Sequence, residues 1–208
     1  AAAAAKHPIV LGYCVGNEGL NVRYDLSRLT AAITELKAAT QKPVATTEEI
    51  DDYADPELLS TGDWVFPNVH PYFHSLLEPE LAAQWTQAAY EDLVRRAGRL
   101  VIFKEVGLPT AGSPDEPLSE ENQKLYYQAL AATEVHFVYF EAFDQLWKTH
   151  LPVEPHWGLF RADRSPKAFA ASLMEDPASE SSQSSPSRFY IYRDLVSPEN
   201  HFKPTGFM

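Results

Sequence analysis

Leu100-Val101-Ile102-Phe103-Lys104-Glu105-Val106-Gly107-Leu108-Pro109-Thr110 decides how the chain is read. Residues 100–105 form a short apolar run ending on a carboxylate, and Gly107 and Pro109 stiffen the turn behind it. Such a run reads as a buried strand. Before it, residues 79–97 keep helical spacing and stop at Gly98, the residue type that most readily takes the left-handed position after a helix. After it, residues 119–133 open with Ser119 and the acidic pair Glu120 and Glu121, which suit the positive end of a helix dipole. The strand between two helices is a repeating unit. Residues 9–15, 43–47, 64–69 and 135–140 also read as strands. Residues 25–41 and 166–174 read as helices, and 56–60 as a short helical turn.

Strands alternating with helices predict an α/β protein with a parallel sheet. No glycine-rich phosphate loop follows any strand, which argues against a nucleotide-binding doubly wound sheet. Polar residues instead gather just past the carboxyl ends of the strands: Asn17 and Glu18, Glu48 and Glu49, His70 and Tyr72, Glu105, and Glu141. A (β/α)8 TIM barrel keeps its site at that end. A whole barrel takes about 250 residues and eight strands. The expectation is therefore the last five βα units of a barrel over residues 1–175, with the Ala1 to Ala5 run as the tail of a helix entered midway. Residues 176–187, rich in Ser, Pro and Glu, read as a linker. Residues 188–208 turn aromatic again and read as the start of a further module.

The 208 residues carry a formal net charge of −12. That excess opposes a nucleic-acid partner, because phosphate binding needs clustered Lys and Arg. No apolar run reaches the roughly 18 residues of a membrane span. Cys14 is the single cysteine, which excludes an internal disulfide; flanked by apolar residues, it reads as a small core residue.

The chemistry is carried by carboxylates. Glycoside cleavage with retention needs two of them, one as acid/base and one as nucleophile. Val15-Gly16-Asn17-Glu18 sets an amide beside an acid at a strand end, and Glu105 ends an apolar strand before a stiff turn. Together these segments resemble glycoside hydrolase family 17, the β-1,3-glucanases and glucanosyltransferases. That family carries Val-Gly-Asn-Glu after its fourth strand and Glu-Thr-Gly-Trp-Pro after its seventh. The first motif stands here unchanged. The second matches at Glu105, Gly107 and Pro109 and departs at Val106 and Leu108. Asn68-Val69-His70-Pro71-Tyr72-Phe73 resembles the sixth-strand motif, with His70 in place of a Tyr. The stretches 139–148 and Glu154-Pro155-His156-Trp157-Gly158-Leu159-Phe160 resemble the family's eighth strand and the segment after that strand.

The resemblance implies that Glu18 is the acid/base and Glu105 the nucleophile of a retaining enzyme acting on β-1,3-glucan polysaccharide or oligosaccharide. It also implies a place outside the cytoplasm: extracellular, periplasmic or at the cell surface. Three alternatives stay open: transglycosylation in place of hydrolysis, a non-catalytic glucan-binding fragment, and a different β-linkage. Asn17, Asn68, His70, Tyr72, Glu141, Asp144, Lys148 and Trp157 are the candidate substrate contacts. Glu141, Asp144 and Lys148 read equally as an ion-pair network, and Trp157 equally as core. Glu48 and Glu49 follow the second strand and read as a solvated loop, with pointing into the site as the alternative. His70 and His74 have a metal-like spacing, but Pro71 between them breaks the helix that would align them. Neither a metal nor another cofactor is expected.

Overall fold

The computed structural model describes residues 7–175. The expected helix tail at 1–5, the linker at 176–187 and the module at 188–208 lie outside the described residues. Within them, five strands alternate with five α-helices: β1 (Tyr13–Cys14), α1 (Leu26–Thr40), β2 (Val44–Ala45), α2 (Pro56–Ser60), β3 (Asn68–Val69), α3 (Pro79–Ala97), β4 (Phe103–Val106), α4 (Glu120–Ala131), β5 (Phe137–Tyr139) and α5 (Ala168–Glu175).

The helices follow from local chemistry. Asp25 precedes α1 and accepts the Arg28 N–H at 2.8 Å, satisfying one of the donors left free at a helix start. Leu29 and Ile33 recur on one face of α1 and are buried; each contributes about 1.5–3 kcal/mol by leaving water. Pro79 opens α3, and Gly98 ends it at φ +59° with its N–H on the Val94 carbonyl. Ser119 caps α4 by accepting the Asn122 N–H at 3.0 Å.

Every ladder between these strands is parallel. β1 pairs with β2, and β3, β4 and β5 pair in that order. A parallel bridge between Glu49 and Asn68 joins the two groups. Neighbours in space are thus neighbours in sequence, as in the wall of a (β/α) barrel and unlike a doubly wound sheet, whose order reverses. Among the described residues β1 and β5 each pair on one side only. A continuous core fills the space between strands and helices, with Val44, Val69, Phe103 and Val106 from the strands and Leu58, Leu93, Tyr126 and Leu130 from the helices.

The strands are shorter than the periodicity predicts. Proline explains part of this. Pro67 accepts the Lys104 N–H at 2.8 Å but has no N–H to return, so the 64–69 run reaches β4 through an isolated bridge at Val65–Val101 and resumes only at Asn68. Pro43 likewise accepts from Tyr13 and donates nothing. Cys14 corrects its expected place in the core. It is exposed, at the end of a strand that pairs on one side only among the described residues.

Candidate active site

A cleft of about 440 Å³ opens at the carboxyl ends of the strands, lined among others by Glu18, Asn68, His70, Glu105, Lys148 and Trp157. Glu105 sits within β4, opposite Asn68 of β3. Glu18 arrives on the loop after β1. That loop turns at Gly16, where φ is +85° and an added Cβ would lie 2.5 Å from the Tyr24 hydroxyl, so only glycine fits. Glu18 itself takes φ +47°, a left-handed conformation that side chains disfavour and surrounding contacts must hold.

Those contacts come from the ends of β2 and β3. The Glu18 N–H donates to the Thr47 carbonyl at 3.0 Å. The Asn68 amide donates to Glu18 Oε1 at 2.6 Å and to Asn17 Oδ1 at 3.3 Å. The Asn68 oxygen accepts the Thr47 hydroxyl at 2.9 Å, which fixes the orientation of the amide. Lys104 bridges the two sides of the site, donating to Asn17 Oδ1 at 2.8 Å and pairing with Glu105 Oε1. His70 Nε2 stands 3.6 Å from Glu105 Oε2. One carboxylate oxygen of Glu18, one of Glu105 and an imidazole nitrogen of His70 lie within 4.8 Å of one another.

That trio offers a metal three possible ligands, but the donor chemistry opposes one. The Lys104 ammonium already sits on Glu105, and the Asn68 amide on Glu18. His74 stacks on Trp85 at 4.4 Å between ring centroids.

Charge in the cleft is uneven. Burial pushes the Glu105 carboxyl up, but hydrogen bonds and positive charge from His70 and Lys104 outweigh it and hold the group below the ordinary glutamate value. Glu141 is shifted the other way. Its burial dominates, Lys148 and Gln145 offset only part, and the Glu105 charge adds to the rise. Lys148 Nζ lies 3.2 Å from Glu141 Oε1 and 4.7 Å from the Phe140 ring centroid.

The structure gathers most of the residues singled out in the sequence and separates others. Asn17, Asn68 and His70 meet around the two glutamates, and Lys148 reaches the cleft with Glu141 behind it. Trp157 lines the cleft but is 1% exposed; it packs edge-on against His70 at 4.9 Å and forms wall rather than an open platform. Tyr72 does not line the cleft. It packs against the core, because the 3₁₀ turn at Pro71–His74 carries it away from His70. Asp144 is also elsewhere. Of its two possible uses the structure has the ion pair, with Lys167 Nζ at 2.7 Å and the Gly158 N–H at 2.9 Å on the same oxygen. Glu48 is wholly buried, not solvated. Glu49 does reach the lining, the alternative to a solvated loop, and Asp51 and Glu154 add acidic groups beside it that the sequence did not single out for the site; polar residues in turns carry no mark of which way they face.

The chain is similar to several known proteins. It is 27% identical over 197 residues to a protein named probable glucan endo-1,3-beta-glucosidase btgC from Aspergillus terreus, matching 77% of this chain and 30% of that protein's length. The chain thus spans under a third of that relative. The crystal structure of a glycoside hydrolase family 17 beta-1,3-glucanosyltransferase from Rhizomucor miehei superposes with a TM-score of 0.59 at 26% identity, over 69% of this chain and 55% of that one. A beta-glucuronidase from Faecalibacterium prausnitzii superposes with a TM-score of 0.66 over 83% of this chain and 32% of that one. At 21% identity that likeness concerns the fold alone. Residues 1–158 match one family over their whole span, and the chain belongs to it: the BtgE/BtgC glycoside hydrolase domain family.

Proposed function

We propose that the chain carries the active site of a retaining glycoside hydrolase of family 17 acting on β-1,3-glucan, with Glu105 as nucleophile and Glu18 as acid/base. The observation that carries this reading is the approach of the two carboxylates to within 4.8 Å at their nearest oxygens. Retaining enzymes hold the pair about 5–5.5 Å apart, whereas inverting enzymes leave roughly 6.5–9.5 Å for a water. In the first step Glu105 attacks the anomeric carbon, the glycosidic C–O bond breaks, and Glu18 gives its proton to the departing oxygen. In the second step Glu18 takes a proton from water, whose oxygen attacks the same carbon and frees Glu105. Lys104 and His70 keep Glu105 ionised for the attack. Asn68 fixes the Glu18 carboxyl, and Asn17 stands beside it at hydrogen-bonding distance from Lys104.

The glucan assignment is supported by the names of the relatives at 27% and 26% identity. A polymer of that kind puts the site of action outside the cytoplasm in this reading. Replacing Glu105→Gln and, separately, Glu18→Gln in the full chain tests it. Each change is expected to abolish turnover of a β-1,3-glucan, and full activity in the Glu105 variant would refute the assignment.

A second reading, transfer to another sugar in place of water, is favoured by the Rhizomucor miehei enzyme, which is named a glucanosyltransferase. The first step is the same, and a sugar hydroxyl takes the place of water in the second. Oligosaccharides longer than the substrate, appearing early in the reaction, distinguish transfer from hydrolysis.

A further inference from the structure

Glu48 is a carboxylate with no exposed surface, just past the end of β2. A buried charge is costly unless its lone pairs are satisfied, and Glu48 has four donors. Gly19 and Leu20 donate backbone N–H groups to Oε2 at 2.7 and 3.1 Å. The Tyr24 and Thr46 hydroxyls donate to Oε1 at 2.7 and 3.1 Å. The Tyr24 oxygen also accepts the Asn17 N–H at 2.9 Å.

Every residue of the turn from Asn17 to Leu20 is thereby fixed. Asn17 is held through Tyr24, Gly19 and Leu20 by Glu48 directly, and Glu18 by the Thr47 carbonyl next to Glu48. This turn has left-handed backbone at Gly16 and Glu18. Such conformations persist only where their surroundings over-determine them.

We propose that Glu48 is a positioning residue for Glu18, its buried carboxylate clamping the 16–20 turn in the conformation that aims Glu18 at Glu105. The inference rests on Glu18 being the acid/base. Glu48 touches no reacting atom. Its effect is confined to the step that needs a well-placed proton donor, where a misplacement of about 1 Å costs on the order of 10²-fold.

The experiment compares two substrates in the full chain: a β-1,3-linked gluco-oligosaccharide, whose leaving alcohol must be protonated, and its 2,4-dinitrophenyl β-glycoside, whose leaving group departs without a proton. For Glu48→Gln, kcat/KM on the oligosaccharide is expected to fall about 10²-fold, with the dinitrophenyl glycoside near the unsubstituted value. Glu48→Asp, which keeps the charge, is expected to recover part of the loss. Equal falls on both substrates would make Glu48 a general stability residue and overturn the proposal, as would no fall at all. Glu18→Gln is the reference. If it shows the substrate split and Glu48→Gln does not, the positioning role is wrong and the reading of the site stands. If neither shows it, the acid/base assignment is wrong and the inference falls with it. Should Glu48→Gln fail to fold, Tyr24→Phe, which deletes only the hydroxyl linking Glu48 to Asn17, is judged by the same split.

Discussion

Removing the ammonium of Lys167 by Lys167→Met should destabilise the protein far more than a typical charge deletion. Lys167 and Asp144 form an ion pair whose side chains are 2% and 8% exposed. Lys167 also donates to the Thr110 hydroxyl at 2.8 Å and approaches the His156 carbonyl at 3.3 Å. The methionine nearly conserves volume, so the cost is electrostatic. Asp144 would remain buried, with the Gly158 N–H still on the oxygen that Lys167 had shared. Breaking a buried pair in this way costs about 3–5 kcal/mol, against a surface median of about 0–1. For a chain of this size, one kcal/mol moves the melting midpoint by about 2–4 °C, which gives a loss of roughly 6–20 °C. Thermal denaturation followed by circular dichroism reads it directly. Adding Asp144→Asn to Lys167→Met removes the stranded charge and keeps an oxygen for Gly158, so the double variant should regain most of the loss. A double variant no more stable than the single one would refute this reasoning. KM for the proposed glucan substrate should stay unchanged in the double variant, because Asp144 braces the segment behind the cleft and does not line it.

Two further outcomes concern neighbouring residues. Lys104→Met removes a cation that holds the Glu105 carboxyl low, so, with Glu105 as the proposed nucleophile, the acid limb of the kcat/KM profile should move to higher pH; an unmoved limb would dissociate Lys104 from that role. Stability has the matching sign: a depressed carboxyl stabilises the fold above its unfolded value and loses that contribution as pH falls through its folded value, so Lys104→Met should cost stability near neutrality and little in strong acid. Gly107→Ala would put a Cβ 2.1 Å from the Phe140 carbonyl oxygen. Backbone on both sides must then shift where β4 meets β5, costing about 1–3 kcal/mol in chemical denaturation. A wild-type midpoint would show that the two backbones do not approach so closely.

Local chemistry explains which features the sequence exposes. The bounds of α2 and α3 coincide with those expected, because Pro56 and Pro79 at their first positions and Gly98 after α3 are local instructions. Strand lengths are not local. They depend on whether a neighbour can complete the ladder, and Pro67 and Pro43 cut them short. The two glutamates stand out because each lies in a distinctive motif at the carboxyl-terminal side of its strand, Glu105 within β4 and Glu18 on the loop after β1, and the parallel order brings those segments together across two intervening strands. Tyr72 and Asp144 share the same strand-end neighbourhoods, yet a 3₁₀ turn rotates one away and a buried lysine captures the other. Glu48 shows the converse error. A Thr-Thr-Glu-Glu run reads as solvated, since its burial becomes intelligible only with the N–H groups of Gly19 and Leu20 in place, and backbone donors leave no trace in the sequence.

The anomeric form of the first-formed product tests the central claim most directly. Proton NMR of a β-1,3-linked gluco-oligosaccharide during the first turnovers of the full chain distinguishes the two stereochemical outcomes before mutarotation mixes them. The approach of Glu18 and Glu105 oxygens to within 4.8 Å predicts that the new reducing end appears as the β-anomer. An α-anomer appearing first would contradict a covalent intermediate on Glu105 and the account built on it.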